Sequence, residues 1–283
     1  MYSLGNKLII YDSNCKVCSS MKKVVTWLCS IPEERVRALA ELPPEHYVKV
    51  DLARFRNMMA VVDTAGGSTM YGAEGVAYIF SCKYRFLKWL LDIPLLFRLF
   101  AFLYNVQANN RYIMTTPKST FTCECLPDRI LRYRLSYIGI AFLVAIILTG
   151  LLALSFRQFF SYVPVGESIM WGVLIAGTGW LLQLVFAGVL LESAKFIDYA
   201  GHLGTIMVYG LLVQVPWIIV SRFSDLWIVP VVSLVASFSC MFYMHIGRVQ
   251  YLQLSKMWSL CWLLFLISGA AFGMVLFYNF NPL

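Results

Sequence analysis

Polar and apolar positions divide this chain in two. Up to about residue 135, apolar residues come in short runs and periodic stripes among charged ones; beyond it they come in long stretches with few charges. Leu8-Ile9-Ile10 reads as a buried parallel strand. After it Val17, Met21, Val24, Val25 and Leu28 recur at 0, +4, +7, +8 and +11, one face of a helix, with Ser20, Lys22 and Lys23 between them. That predicts a helix over residues 15–29. Pro32, Glu33 and Glu34 break the pattern, and 36–40 reads as a second strand. From Pro43 to Arg56 the signals are mixed: residues 47–50 alternate as a strand does, whereas Leu52, Phe55 and Met59 fit a helix. Residues 58–62 and 68–71 flank Thr64-Ala65-Gly66-Gly67 and predict a hairpin, followed by a helix over 73–91. The apolar run 95–104, after Pro94 and interrupted by Arg98, is too short to cross a bilayer. It is expected to cover the domain or to lie at a membrane surface.

Five later segments, 137–154, 169–191, 203–220, 227–243 and 258–278, approach the roughly 20 residues that a membrane span needs. Composition agrees: only 13% of residues are charged, against about 25% in a soluble protein. Lys118, Arg129, Arg132 and Arg134 precede the first segment; Lys195, Arg248 and Lys256 fall in connections on the same side; Arg157 and Arg222 fall on the other. The positive-inside rule then puts the N-terminus in the cytoplasm and the C-terminus opposite, in a multi-pass protein of a bacterial inner membrane. The lack of a secretory signal pattern at the N-terminus fits that orientation. The net charge of +8 reads as contact with anionic lipid; no nucleic-acid motif accompanies it. Pro216 and Pro230 fall within or beside apolar segments and are expected to kink them.

The chemistry is concentrated in Asp12-x-x-Cys15-x-x-Cys18, at the predicted start of the first helix. First-turn N–H groups and the helix dipole favour negative charge, so the pKa of Cys15 should fall. Cys15 is expected to be the exposed nucleophile and Cys18, one turn deeper, the resolving thiol; the bland alternative is a pair of buried free cysteines on an inert scaffold. Asp12 either caps the turn or assists proton transfer from Cys18. Cys123-Glu124-Cys125 is a second thiol feature. It could complete a four-thiolate zinc site with Cys15 and Cys18, reduce their disulfide, or have no role; the long gap after Cys18 is not that of a compact zinc module. Cys29, Cys82, Cys240 and Cys261 read as small buried hydrophobes. In the membrane half, Gln183, Gln214, Glu192 and His245 are intramembrane polar groups, and Glu192, Lys195, Asp198, His202 and His245 fall near the cytoplasmic face. They could line a quinone or proton site or a docking face, although their place at segment ends favours snorkelling and loop salt bridges. Trp171, Trp217, Trp227 and Trp258 read as aromatic-belt residues.

The Asp12, Cys15, Cys18 motif after an apolar strand resembles the DCC family of thiol-disulfide oxidoreductase-like domains. Asp63 to Gly67 followed by Tyr71-Gly72-Ala73-Glu74-Gly75-Val76-Ala77 is similar to that family's turn and Gly-x-x-Ala segment, and Tyr104 to Arg111 to its Tyr…Ala-x-Asn-Arg element. The resemblance covers about residues 6–125. It implies an α/β thioredoxin-like N-terminal domain, here followed by an all-α transmembrane helical bundle; the predicted element order agrees. Phe55, Arg56 and Asn57 offer no proline where thioredoxins place a cis-proline before the hairpin. The expected division is residues 1–112 for the thiol domain, 113–135 for a linker and 136–283 for the membrane domain. The expected function is a membrane-tethered thiol-disulfide oxidoreductase that reduces a protein or small-molecule disulfide, needing no cofactor for the exchange. The alternative is a membrane transporter, lipid-site or assembly protein whose thiol domain is a redox or metal sensor or a docking module.

Overall fold

The computed structural model describes residues 4–116, 126–159, 163–221, 223 and 226–280. The chain forms two compact units, divided between Tyr137 and Ile138.

The first unit is built on a four-stranded sheet in the order β2-β1-β3-β4. In β1 (Lys7–Tyr11), Ile9 packs with Cys29, Ile31, Val36, Val61 and Ile79 in one core cluster. Ile10 packs with Leu39, Val50, Phe55, Ala60 and Val62 in another. A strand with cores on both faces has no polar side to show, which is why Leu8-Ile9-Ile10 does not alternate. α1 (Lys16–Cys29) carries the chain to β2 (Val36–Ala38), which pairs parallel to β1 with Ile9 opposite Val36. α1 stops at Ser30, which adopts the left-handed conformation (φ 52°), and Ile31 N–H bonds back to Thr26 O at 3.0 Å.

The mixed stretch resolves into two single turns, α2 (Pro44–Tyr47) and α3 (Leu52–Phe55). Asp51 caps α3 by accepting from the Ala53 and Arg54 N–H groups. The alternation at 47–50 gives no strand. β3 (Ala60–Asp63) runs antiparallel to β1 and to β4 (Met70–Tyr71), as the hairpin reading anticipates. Parallel β1–β2 across a helix, then an antiparallel β3–β4 edge, is the thioredoxin-like arrangement.

The single helix expected over 73–91 is two, α4 (Gly72–Lys83) and α5 (Arg85–Leu91). Tyr84 breaks them by leaving helical geometry, and its hydroxyl donates to Leu28 O at 2.9 Å. Gly72 opens α4 at φ 59°; a Cβ there would fall 2.9 Å from Met58 Sδ and 3.1 Å from the Tyr104 ring. α6 (Pro94–Asn109) extends the 95–104 run by a turn. Its end is buried at Val106, Ala108 and Asn109, while Leu95 and Leu99 near its start are exposed. α7 (Arg111–Met114) follows at once, with Arg111, Tyr112 and Ile113 all buried.

Helices of membrane length make up the second unit, the first of them beginning at Leu131, before the division. The five candidate spans are Leu131–Phe159, Val165–Leu190, Ser193–Val220, Ile228–Tyr251 and Met257–Phe280. They contain α8 (Leu131–Phe156), α9 (Val165–Leu190), α10 (Ser193–Val213), α11 (Val215–Val220), α12 (Ile228–Tyr251) and α13 (Met257–Phe280). The third begins ten residues before the expected 203. Lys195 and Asp198, read as loop charges, ride on the first turns of α10, and Leu191 and Glu192 alone connect α9 to it. Pro216 sits in the first turn of α11, after a break at Gln214. Gln214 is held there by donating to Ser233 O (2.9 Å) and accepting from Ser233 Oγ (2.7 Å). Pro230 occupies the first turn of α12, where no intrahelical donor is lost.

α9 and α13 approach backbone to backbone. A Cβ on Gly269 would lie 2.6 Å from Gly179 Cα, and one on Gly179 would lie 2.6 Å from Leu266 Cα. Such small-residue contacts are what let apolar helices associate where no hydrophobic effect drives them together. Trp171 and Trp217, expected in the aromatic belt, are packed inside instead: Trp171 edge-on to Phe277, and Trp217 against Phe156.

Candidate functional site

Cys15 occupies the N-cap of α1 in extended geometry, so its sulfur faces the free N–H groups of the first turn. Cys18 N–H donates to Cys15 Sγ at 3.1 Å. The tight turn before it is fixed by Asp12: its carbonyl accepts from Cys15 N–H (3.3 Å), and its Oδ1 accepts from Asn14 N–H (2.9 Å). The helix cap expected of Asp12 is made instead by Cys15, whereas Asp12 closes the turn ahead of the helix. Its second oxygen is held from α7, by the Tyr112 hydroxyl at 2.9 Å and the Arg111 guanidinium at 3.6 Å. Arg111 is 4% exposed, and its Nη2 also donates to Arg56 O at 2.9 Å. Thus two residues a hundred positions downstream complete the site that the motif begins.

The two thiols are driven apart in acidity. The hydrogen bond from the Cys18 thiol, foremost, holds Cys15 below the ordinary thiol value. Burial opposes this; the Cys18 N–H and the Arg111 charge assist, and Asp12 opposes. The same bond, then burial, pushes Cys18 far above the ordinary value. Burial works against the charge of Arg111, but Cys18, Cys15 and Asp12 around it keep it protonated. Tyr104, partly buried beside Gly72, is pushed up to about 12 by desolvation, and its hydroxyl accepts from Met59 N–H at 3.1 Å.

One expectation is overturned. Cys15 is not the exposed member of the pair: it has no exposed surface, and Cys18 is partly exposed. The helix start does favour a thiolate, but the Cys15 side chain at the N-cap is buried. Both thiols are free. Cys18 lines a cavity of about 280 Å³ that Cys15 does not reach. Asp12, Lys22, Thr26, Gln107 and Arg111 are in its polar part; Val25, Met59, Phe80, Phe100 and Leu103 are among its apolar walls. Arg111 and Tyr112 were not singled out as site residues from the sequence. The signal was there in Arg111, the last residue of the Tyr104 to Arg111 element, set among residues with a strong helical and apolar pattern.

Cys123 and Cys125 lie outside the described residues, and with them any four-thiolate zinc site. Cys29 is buried, as read, but Cys82, Cys240 and Cys261 are only partly so.

In the second unit the structure joins His245 to a buried polar chain. The Gln183 amide donates to the Tyr199 hydroxyl, which lies 3.0 Å from His245 Nε2; His245 Nδ1 lies 3.0 Å from Ser259 Oγ. Gln183, Tyr199, His245 and Ser259 come from four different helices, α9, α10, α12 and α13, and all are buried. Trp262 stacks on the His245 ring with centroids 4.8 Å apart. His202 is also buried, edge-on to Tyr251, whereas Glu192 is exposed at the N-cap of α10. For His202 and His245 the structure thus replaces interfacial snorkelling with burial: helix ends extend past both residues, so neither is at a segment end.

A four-stranded thioredoxin-like sheet with two cysteines on the first turn of its first helix defines the class of the N-terminal unit. Residues 9–116 match the family model described as DCC1-like thiol-disulfide oxidoreductase. Five apolar helices of membrane length follow that domain. Neither a curated protein nor a solved structure matches the chain.

Proposed function

We propose that the chain is a membrane-tethered thiol-disulfide oxidoreductase in which Cys15 and Cys18 cycle between dithiol and disulfide. The observation that carries this reading is the Cys15 sulfur at the N-cap of α1, accepting from Cys18 N–H at 3.1 Å. That arrangement stabilises a thiolate, the form that attacks and leaves in disulfide exchange. The family match of residues 9–116 supports the same chemistry. Asp12 positions rather than shuttles: both its oxygens are engaged, by Asn14 N–H on one side and by Tyr112 and Arg111 on the other.

The thiol domain, residues 1–112, faces the cytoplasm, and the membrane domain from residue 136 ends on the opposite side, following the basic residues of the connections. Cytosolic poise keeps the pair reduced, so net turnover reduces a protein or small-molecule disulfide. The test uses the full chain in lipid nanodiscs. Wild type should exchange with an added disulfide, and the double variant Cys15→Ser/Cys18→Ser should lose that exchange. Equal rates for the two proteins would remove the reading.

The Gln183–Tyr199–His245–Ser259 chain favours a second reading, in which the membrane unit has work of its own and the thiol domain serves as a sensor. Polar groups are expensive inside a bilayer, and those retained there mark functional sites. Under that reading, His245→Ala removes the biological activity in cells while thiol exchange in nanodiscs is unchanged.

A further inference from the structure

We propose that α5 and α6 form an interfacial anchor, whose outer faces dock on the surface of an anionic bilayer and hold the thiol domain there. This rests on the reading of Leu131–Phe159 as a membrane span and not on thiol exchange. The first observation is a set of exposed apolar side chains at helical spacing. Phe86, Trp89 and Leu90 on α5 recur at 0, +3 and +4, and Ile93 follows at +7; Leu95, Leu99 and Phe102 on α6 recur at 0, +4 and +7. Phe86, Trp89 and Leu95 are 66%, 70% and 74% exposed. A single exposed leucine is ordinary on a protein surface, but apolar side chains gathered on the faces of neighbouring helices mark a site of interaction. The inner side of α6 differs: Phe100, Tyr104 and Gln107 line the cavity beside Cys18, and Val106 and Ala108 are buried.

Two further observations name the occupant. From Lys83 to Leu103 the charged side chains are Lys83, Arg85, Lys88 and Arg98 against Asp92 alone, and all are exposed. Aromatic and aliphatic side chains flanked by lysine and arginine suit a lipid surface: the apolar atoms enter the boundary between headgroups and acyl chains, and the cations meet acidic headgroups. The face is also continuous with the start of the first span. Phe102 packs against Tyr133 of α8 with ring centroids 6.2 Å apart, and Asn110, just past the end of α6, donates to Tyr133 O at 2.9 Å. The Arg132 guanidinium lies 4.5 Å from the centroid of the same Tyr133 ring. These are the opening turns of the span, where the chain meets the headgroups, so the apolar face of α6 begins at the membrane surface. Docking then keeps the cavity beside Cys18, walled in part by the inner side of α6, at the edge of the bilayer.

The experiment is hydroxyl-radical footprinting of the full chain in nanodiscs, one chain to a disc, with oxidation read by peptide mass. Trp89 is the probe and Trp27 of α1 the internal reference, because the two are similarly exposed at 70% and 79%. In discs of phosphatidylglycerol, Trp89 should oxidise at least about fivefold more slowly than Trp27. The gap should close in the variant Arg85→Gln/Lys88→Gln/Arg98→Gln, since each cation near an acidic surface shifts the balance about fivefold toward the docked state. It should also narrow in discs of phosphatidylcholine. Trp89 as open as Trp27 in phosphatidylglycerol overturns the proposal. Protection of equal size in phosphatidylcholine and in the charge variant means a cover other than acidic lipid and overturns it too, as does protection seen only in discs loaded with two chains, which assigns the face to a second copy. A chain that elutes without the discs overturns the membrane reading itself. In case the triple variant fails to fold, raising the salt around wild type gives the same answer: screening should release Trp89, and protection indifferent to salt overturns the proposal.

Discussion

Arg111 brings a full charge to a place that water scarcely reaches, and it does so next to Asp12 at 3.6 Å and within the field of two thiols. A cation there favours the thiolate of Cys15 over the thiol. Arg111→Met takes that contribution away, so the midpoint of Cys15 ionisation should move to higher pH, read from thiolate ultraviolet absorbance against the Cys15→Ser chain. At neutral pH the thiolate fraction then falls and exchange slows. Tyr112→Phe removes the donor to Asp12 and should cost about 1 kcal/mol in denaturant unfolding. The acidity of Cys15 was legible in the sequence because a helix start, an N-cap and an N–H group are local facts. Its closure was not, because the residues that fix the turn from the other side, Arg111 and Tyr112, come a hundred positions later.

At the scale of elements, β1, α1, the hairpin and the five long helices could be read from periodicity and length. What could not be read followed from competition between elements. Tyr84 leaves its helix to reach Leu28 O, so one predicted helix became α4 and α5. The charges at Lys195 and Asp198 argued for a loop, yet α10 takes them into its first turns, because the connection from α9 needs only Leu191 and Glu192. Gly179 and Gly269 set the closeness of α9 and α13. Gly269→Val forces the backbones apart and should destabilise the full chain by about 1–3 kcal/mol, seen as a lower thermal midpoint in a fixed detergent, with Gly247→Ala as the control in open space. Tyr199→Phe leaves Gln183 a buried donor and His245 a buried nitrogen without their shared partner. The expected loss is about 0.6–2 kcal/mol by the same assay, with His245→Phe at least as damaging because it also strips Ser259 of its partner.

For the whole molecule, the proposed orientation rests on basic residues at the ends of the spans, with Arg129 before the first, Arg132 and Arg134 in its opening turns, and Arg248 and Lys256 around the last connection. A reporter that works only outside the cytoplasm should therefore be active when fused after Leu283 and silent when fused before Met1; the opposite pattern reverses the proposed topology. The placement of α7 also imposes an order in time. The ribosome makes the dithiol motif early, but the guanidinium and phenol that hold Asp12 are among the last groups of the domain to be made. A nascent chain halted before Arg111 would carry both cysteines without the guanidinium and phenol that hold Asp12. The site that the proposed thiol exchange requires is therefore completed only at about the time the first hydrophobic span is being synthesised.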